Sequence, residues 1–223
     1  NGNLNGENTS FYENGQIESK YHYDFGSAEE KSLTYYENGN INTTTQYKND
    51  NLHGRKEFYS ESGKLQLIRF YDFGRLTGYS YLNKNSEELP MIPLINESGK
   101  VTAYYDNGNI SRAMEYKNGD FINTYTEFYY SGQIASELPY EQGEYHGVFI
   151  EYFSNGKIKN QKDYLFGNLH GFAKEFYENG NLKKEESYSN NIKNGVSKTY
   201  DKNGKLLIEE EYFNSDIANS KIH

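Results

Sequence analysis

The sequence predicts an all-β protein: an elongated, open and twisted antiparallel sheet of about nine stacked β-hairpins with a 24-residue period. Three observations predict it. Turn strings such as ENGQI and SNGKI recur, aromatic residues keep fixed positions relative to these turns, and hydrophobic residues make up only 35% of the chain. That share is below the usual one for a globular domain, which indicates a thin fold. The 17% of aromatic residues excludes a disordered chain.

The turn strings set the register of the repeat. Their glycines are Gly15, Gly39, Gly63, Gly108, Gly132, Gly156, Gly180 and Gly204. Successive glycines are 24 residues apart, except for one step of 45 in which we expect Glu87 to take the missing turn position. Asn-Gly and Ser-Gly between extended segments favour a type I′ turn, which needs positive φ at both central residues. We therefore expect a short type I′ hairpin turn at each site.

Further columns keep this register. An Ile or Leu follows every turn position by two residues, and in eight of nine copies a Tyr follows it by eight. The aromatic residues four before the turn are Phe11, Tyr35, Tyr59, Tyr104, Phe128, Tyr152, Phe176 and Tyr200. Around Gly180 the pattern predicts strands 172–177 and 182–188, with Leu182 and Tyr188 on one buried face because they are an even number apart. A second glycine, such as Gly171, is expected at the tight return between hairpins.

The frame G-x-x-x-x-[YF]-x-x-x-G-x-[IL] contains Gly171, Phe176, Gly180 and Leu182, and Tyr188 follows it. This frame resembles the MORN-repeat variant family, including the bacterial proteins called YwqK-like antitoxins. The resemblance extends from Gly6 to Tyr212. It implies an open, twisted sheet of hairpins used for protein interaction, without catalysis. No kinase segment accompanies the repeats, because the sequence lacks a Gly-rich phosphate loop with its Lys and Asp elements.

The predicted organisation is a single repeat array over residues 1–213 followed by a polar tail, 214–223, that blunts or covers one sheet edge. One copy, residues 78–98, diverges. It has Asn83 in the aromatic column, Glu87 in the turn and Leu89 in the Ile/Leu column, and it is three residues short. Two prolines follow in the stretch LPMIPLI, and proline belongs at edges, bulges or irregular segments of a sheet.

Two interpretations of the divergent copy remain open. It either breaks the sheet and forms a binding crease, or it is a tolerated irregularity whose apolar residues fill the missing Tyr layer. The first interpretation makes Pro90, Met91, Ile92 and Pro93 candidate partner-binding residues.

A second aromatic row lies three residues before the turn: Tyr12, Tyr36, Tyr105, Tyr129 and Tyr177. Strand alternation places this row on the face opposite the main aromatic column. Tyr105, Tyr129 and Tyr177 are therefore candidate exposed contacts, although the row could equally fill the second face of the sheet.

The sequence offers no catalytic, cofactor-binding or metal-binding constellation. Cysteine is absent, and three histidines (His53, His146 and His170) share one column about 10 Å apart, which is too far to share a zinc ion and favours a structural role in the turns. The column of Glu137, Glu185 and Glu209, with Gln161 after its first member, predicts a negative stripe that could suit a cationic partner. The net charge of −9 disfavours nucleic acid and anionic lipid as partners.

Three functional hypotheses follow. The chain is a protein-interaction scaffold of antitoxin or immunity type that binds a basic protein; or a surface or envelope module that binds glycan or another surface component; or a structural rod that associates through its sheet edges. No apolar run reaches the length of a membrane span. The compartment stays open between cytoplasmic and, if a signal peptide has been removed, extracytoplasmic. The oligomeric state and the identity of the partner also stay open.

Overall fold

The computed structural model describes residues 5–25, 27–28 and 30–223, without the side chain of residue 30. Residues 1–4 of the predicted array lie outside the described residues. Within the described ranges the regular structure is β, in two open antiparallel sheets, so the predicted fold class is confirmed. The predicted sheet is, however, divided in two.

As far as the chain is described, the first sheet has nine strands: β1 (Gly6–Phe11), β2 (Ile17–Asp24), β3 (Ser27–Ala28), β4 (Glu30–Tyr35), β5 (Ile41–Lys48), β6 (Asn51–Tyr59), β7 (Leu65–Asp72), β8 (Arg75–Ser80) and β9 (Ile92–Pro93). On the same basis the second sheet has thirteen: β10 (Gly99–Tyr104), β11 (Ile110–Lys117), β12 (Asp120–Phe128), β13 (Ile134–Glu141), β14 (Glu144–Tyr145), β15 (Gly147–Tyr152), β16 (Ile158–Leu165), β17 (Asn168–Phe176), β18 (Leu182–Ser189), β19 (Ile192–Lys193), β20 (Gly195–Tyr200), β21 (Leu206–Phe213) and β22 (Asp216–Ile222). The chain forms two compact units, unit 1 (Asn1–Gly119) and unit 2 (Asp120–His223).

A bulge in each hairpin decides which residues share a face. In β17 and β18 the pairs run from Gly171↔Tyr188 to Phe176↔Leu182, with a register shift beside the last pair. The extra residue reverses the alternation of β18. Leu182 and Tyr188 therefore lie on opposite faces, and the prediction that they share one is wrong. We call the two faces of the hairpins the Tyr188 face and the Phe172 face.

The two ends of each hairpin use different turns. At Gly180, the Gly180 N–H donates to the Tyr177 carbonyl at 2.7 Å, and only Gly180 of the Asn-Gly pair has positive φ. This is a type I turn followed by a left-handed glycine, so the predicted type I′ turn is wrong here. Pairs with two positive φ values, as in type I′ turns, occur at the opposite ends of the strands, for example at Asn190 (φ 49°) and Asn191 (φ 66°).

The second glycine, where a repeat has one, lies within a strand or at its first residue and does not form the return turn that we predicted. Gly171 (φ 112°) belongs to β17, and a Cβ there would lie 2.8 Å from Oδ2 of Asp163. The same oxygen accepts the N–H of Phe172 at 2.9 Å. The glycine thus leaves room for a side chain that satisfies the backbone at a bulge.

The divergent hairpin of unit 1 keeps its turn one residue earlier than predicted. The Ser86 N–H donates to the Asn83 carbonyl at 3.0 Å, and Ser86 has φ 60°. Ser86, and not Glu87, therefore takes the place of the turn glycine. The bridge Leu82↔Glu88 accordingly replaces the pair expected at Asn83 and Leu89.

Pro90 explains where the first sheet ends. In the earlier hairpins of unit 1, the residue four after the turn glycine pairs with the next hairpin, as in Ser19↔Thr34 and Thr43↔Phe58. Pro90 stands four after Ser86, and proline has no N–H for such a ladder. β9 pairs with β8 and ends the first sheet, and β10 begins the second.

The densest core lies in unit 1, where β7 packs against β10 and β11. The buried apolar side chains here include Leu67, Val101, Ala103, Met114 and Tyr116.

A polar network spans this interior of unit 1. Nε2 of Gln66 donates to the Tyr105 hydroxyl at 2.8 Å, and Oε1 of Gln66 accepts from Nη2 of Arg112 at 2.7 Å. Buried polar groups need such partners, so the network fixes how these strands meet.

Unit 2 is thinner. Among the described residues of this unit, Tyr125 is the one buried hydrophobic side chain. A ladder of half-buried rings lies along the Tyr188 face, with centroid distances of 4.8 Å for Phe121–Tyr140, 4.8 Å for Tyr140–Tyr145 and 5.3 Å for Tyr145–Tyr164. Residues of the predicted polar tail form β22, which pairs with β21 and covers its edge.

Candidate interaction surfaces

The candidate residues of the divergent segment lie at the surface of unit 1. Pro90, Met91 and Pro93 are exposed, and Ile92 is half-buried. Beside them is a cleft of about 170 Å³ lined by Arg75, Leu76, Thr77, Leu94, Asn96 and Glu97. Ile95, next to the buried Leu94, is 76% exposed. The segment thus combines a small cleft with exposed apolar side chains.

The tyrosines three before the turn fasten one hairpin to the next. The hydroxyl of Tyr36 donates to the Tyr59 carbonyl at 2.7 Å, and the hydroxyl of Tyr177 donates to the Tyr200 carbonyl at 2.9 Å. Tyr129 is bonded in the same way to the Tyr152 carbonyl. Tyr129 and Tyr177 are therefore half-buried structural groups that present only part of each ring.

Tyr105 departs from this row because unit 1 encloses it. Its side chain is 1% exposed and its hydroxyl receives the Gln66 hydrogen bond. Tyr105 is therefore a core residue and not an exposed contact. At this position the second aromatic row fills the interior, which was the other interpretation of that row.

The predicted negative stripe is wrong, because lysines from neighbouring strands alternate with its carboxylates. The register runs Gln161↔Lys174, Lys174↔Glu185, Glu185↔Lys198, Lys198↔Glu209 and Glu209↔Lys221. Ion pairs join Lys174 to Glu185 at 3.1 Å and Lys198 to Glu209 at 3.5 Å. Cross-strand pairs of opposite charge stabilise a sheet and cancel its field.

Glu137, the first carboxylate of that column, is engaged by a tyrosine. It accepts the hydroxyl proton of Tyr152 at 2.7 Å. This hydrogen bond, together with burial, raises the pKa of Tyr152 to about 12. The raised pKa keeps the Tyr152 hydroxyl protonated, as the donor of this bond, at neutral pH.

The histidines pack against phenylalanines at the type I′ turns. Ring centroids are 4.4 Å apart for His53–Phe73 and 4.7 Å apart for His146–Phe166. Across the described part of the chain, no three His, Asp or Glu side chains are grouped as a metal site. These tilted ring contacts give the two histidines a structural environment.

Unit 2 carries an apolar surface that the sequence analysis missed. Its members are 39% (Leu165) to 67% (Phe213) exposed and form the apolar patch: Val148, Leu165, Phe172, Ile192, Val196 and Phe213. The pairs Val148↔Asp163, Phe172↔Ser187 and Val196↔Glu211 place one row on the Phe172 face. A second row, made of Leu165, Ile192 and Phe213, lies beside the first one on this face. Its position follows from the pairs Leu165↔Asn168, Ser189↔Ile192 and Phe213↔Asp216.

Comparison with known families explains the repeat columns. Eight stretches match the family described as MORN repeat variant: residues 4–24, 31–49, 52–72, 97–118, 123–142, 145–165, 169–190 and 193–214. The chain belongs to the MORN repeat variant family. The longest stretch between matches, 73–96, contains the divergent hairpin and its prolines. A MORN-variant array of this kind is a repeat-based binding scaffold.

Other comparisons add little to this family assignment. Curated proteins give no match. One matching solved structure is a chain in the crystal structure of TcdB2-TccC3-Cdc42, at 10% identity with a TM-score of 0.19. The alignment covers 94% of this chain and only 14% of that one. Within the described residues, no helix is long and apolar enough to cross a membrane.

The MORN-variant fold does not itself require the apolar patch. At the equivalent columns the hairpins of unit 1 carry mostly charged residues, among them Asp24, Lys31, Lys48, Arg55, Asp72 and Arg75, with Ser27 and Asn51 at the Ile192 column. The same columns therefore accept charge in both units, as Glu141 and Asp216 show in unit 2, and only the six patch positions expose apolar side chains there. Asp163 and Ser187 lie between the apolar side chains of the first row. Exposed apolar side chains that recur on one face in this way mark interaction sites. Comparison of these columns between repeats is the signal that would have found the patch from sequence.

Carboxylates border the patch. Asp163 and Glu211 pair with Val148 and Val196, and the exposed Asp216 pairs with Phe213. Lys174 lies over the Phe172 ring at 5.4 Å, but it is ion-paired with Glu185. Lys198, two residues after Val196 on the same strand, is likewise ion-paired with Glu209, so Asp163, Glu211 and Asp216 add negative charge beside a row of paired charges.

Proposed function

We propose that this MORN-variant chain is a non-catalytic scaffold of antitoxin or immunity type that binds a basic protein. The observation that carries the proposal is the apolar patch, which occupies one face of consecutive hairpins where the family fold accepts charge. Its acidic border and the net charge of −9 favour a cationic partner, because complementary charge speeds association and selects partners.

The test is capture of a partner on the immobilised chain from a lysate of the source organism. Bound proteins are then eluted by a salt gradient. The expected result is one basic protein that elutes at moderate salt and is lost when Phe172 is replaced by Thr. Threonine suits this column because Thr124 already occupies it. Phe73→Asn, which removes an exposed phenylalanine from a turn of unit 1, is the matched control and should capture the partner normally.

Three results would overturn the proposal. Capture that is unaffected by Phe172→Thr would remove the patch as the binding surface. Retention of the chain by cell-wall material at high salt, without a protein, would favour the envelope-module hypothesis. A mass that rises with concentration would favour the edge-associated rod.

The divergent segment is a second candidate contact, favoured by its cleft and by Met91, which is 46% exposed. Met is adaptable at binding surfaces because its side chain is flexible and polarizable. Met91→Asp should weaken partner capture if the segment takes part. Unchanged capture by this variant would assign binding to unit 2 alone.

A further inference from the structure

The first row of the apolar patch is spaced by the hairpin repeat. Val148, Phe172 and Val196 lie on β15, β17 and β20, one hairpin apart each time. Two strands at about 4.8 Å each give a step of about 9.6 Å along the row. The patch thus presents a regular series of apolar side chains perpendicular to the strands.

The backbone of these strands is already used. β17 pairs with β16 and β18, and β20 pairs with β18 and β21. A partner therefore cannot add as a further strand at Phe172 or Val196 and must lie over the face. An α-helix satisfies its own backbone and packs on a sheet through side chains, so it is the element suited to this surface.

The dimensions agree with a helix that crosses the strands. Seven residues of an α-helix rise about 10.5 Å, close to the hairpin step of about 9.6 Å. Apolar side chains at i, i+7 and i+14 would then lie beside Val148, Phe172 and Val196. Those at i+3 or i+4 would point toward the side of Leu165, Ile192 and Phe213, which lie at unequal intervals on β16, β19 and β21. A helix of about 15 residues or more spans the two steps between Val148, Phe172 and Val196.

The border of the patch sets the charge of that helix. Asp163, Glu211 and Asp216 stand at the apolar rows, so Lys or Arg on the flanks of the helix would meet carboxylates. We infer that the apolar patch binds an amphipathic, basic α-helix of the partner protein, laid across β15 to β21. This inference rests on the proposed function and specifies the partner element for the same site.

The probe is a fluorescent 21-residue peptide with Leu at the a and d positions of three heptads and Lys at most others. Its control has the same composition, but the leucines are spread around the helix. The measurements are fluorescence anisotropy and the helical circular dichroism of the mixture. We expect the heptad peptide to bind and gain helicity, the control peptide to bind at least tenfold more weakly, and added salt to weaken binding.

The variants locate the site. Phe172→Thr should weaken binding by about tenfold, as loss of a central aromatic contact does, and adding Val148→Thr and Val196→Thr should abolish it. Phe73→Asn should bind like the unaltered chain. Thermal unfolding of each variant, monitored by circular dichroism, checks that the fold is intact.

Equal binding of the two peptides, or equal binding by Phe172→Thr, would overturn the helix inference. Failure of the heptad peptide to bind the unaltered chain would overturn the helix inference too. In that case the lysate experiment separates the two claims. A captured partner that still depends on Phe172 preserves the proposed function, and capture that is independent of Phe172 refutes both.

Discussion

The hydroxyl of Tyr177 donates a hydrogen bond to the backbone carbonyl of Tyr200, 23 residues further along the chain and in the next hairpin. The same bond links Tyr12 to Tyr35 and Tyr36 to Tyr59. A side chain thus joins successive repeats outside the backbone ladders. Such nearest-neighbour contacts are what make a repeat array cooperative.

Replacing Tyr177 by Phe should lower the free energy of unfolding by about 1 kcal/mol, because the Tyr200 carbonyl loses its partner while the ring stays in place. Urea unfolding monitored by circular dichroism measures this. Because the ring remains, partner capture should be unchanged. A variant that keeps full stability but loses the partner would instead make the hydroxyl a binding group.

Gly171→Ala should destabilise the protein more than Gly156→Ala. Both glycines have positive φ, which costs a residue with a Cβ about 1–2 kcal/mol. A Cβ at Gly156 meets nothing within 4 Å, whereas one at Gly171 lies 2.8 Å from the Asp163 carboxylate. The same urea experiment compares the two variants. Equal losses would mean that the carboxylate moves aside without cost.

Ser86→Gly should stabilise the protein by about 0.5–1 kcal/mol, because Ser86 holds the left-handed conformation that glycine adopts freely. Glu87→Gly is the matched variant and should destabilise. Glu87 lacks positive φ, and its carboxylate accepts a hydrogen bond from Asn83 at 3.0 Å. Thermal unfolding ranks the two. The opposite order would place the turn at Glu87, as the sequence alone suggests.

Acid should weaken unit 2 through Glu186. Burial raises the pKa of Glu186, but hydrogen bonds and charge from Lys184 and Lys193 outweigh burial and hold this pKa below its ordinary value of 4.5. A depressed pKa in the folded state means that the stabilisation is present above the ordinary pKa and is lost as the pH falls through the lowered one.

The free energy of unfolding should therefore fall more steeply for the unaltered chain than for Glu186→Gln as the pH falls from the ordinary glutamate pKa of 4.5 to the onset of acid unfolding. Urea titrations across this window measure the two slopes. Lys193→Met, which removes the partner 2.7 Å from Glu186, should reduce the difference. Parallel slopes for all three proteins would show that the ion pair does not contribute.

The hairpin repeat and the fold class could be predicted because they depend on local patterns. Three kinds of residue recur at fixed spacing in the sequence: the turn glycines, the aromatic residues four before the turns and the tyrosines eight after them. The residues of each column pair within their own hairpin, as Phe176 and Tyr188 do in β17 and β18. The same spacing predicts the divergent copy, but it predicts the turn at Glu87 and not at Ser86. A serine in the left-handed conformation gives no signal in the sequence.

Other features depend on contacts that the sequence does not display. One extra residue in each hairpin reverses the alternation of side chains between the two faces. Counting residues along the strand therefore predicts, wrongly, that Leu182 and Tyr188 share a face. The alternation of Lys174, Glu185, Lys198 and Glu209 also depends on register.

The sequence by itself determined that this chain is a stack of hairpins with an acidic balance, because turn chemistry and side-chain periodicity act within one repeat. Only the tertiary structure decided that Pro90 ends a sheet, that Tyr105 is enclosed and that Phe172 is exposed. Each of these depends on which strand lies beside or above the residue. Pairing and face-to-face packing join positions far apart in the chain, and local pattern does not encode them.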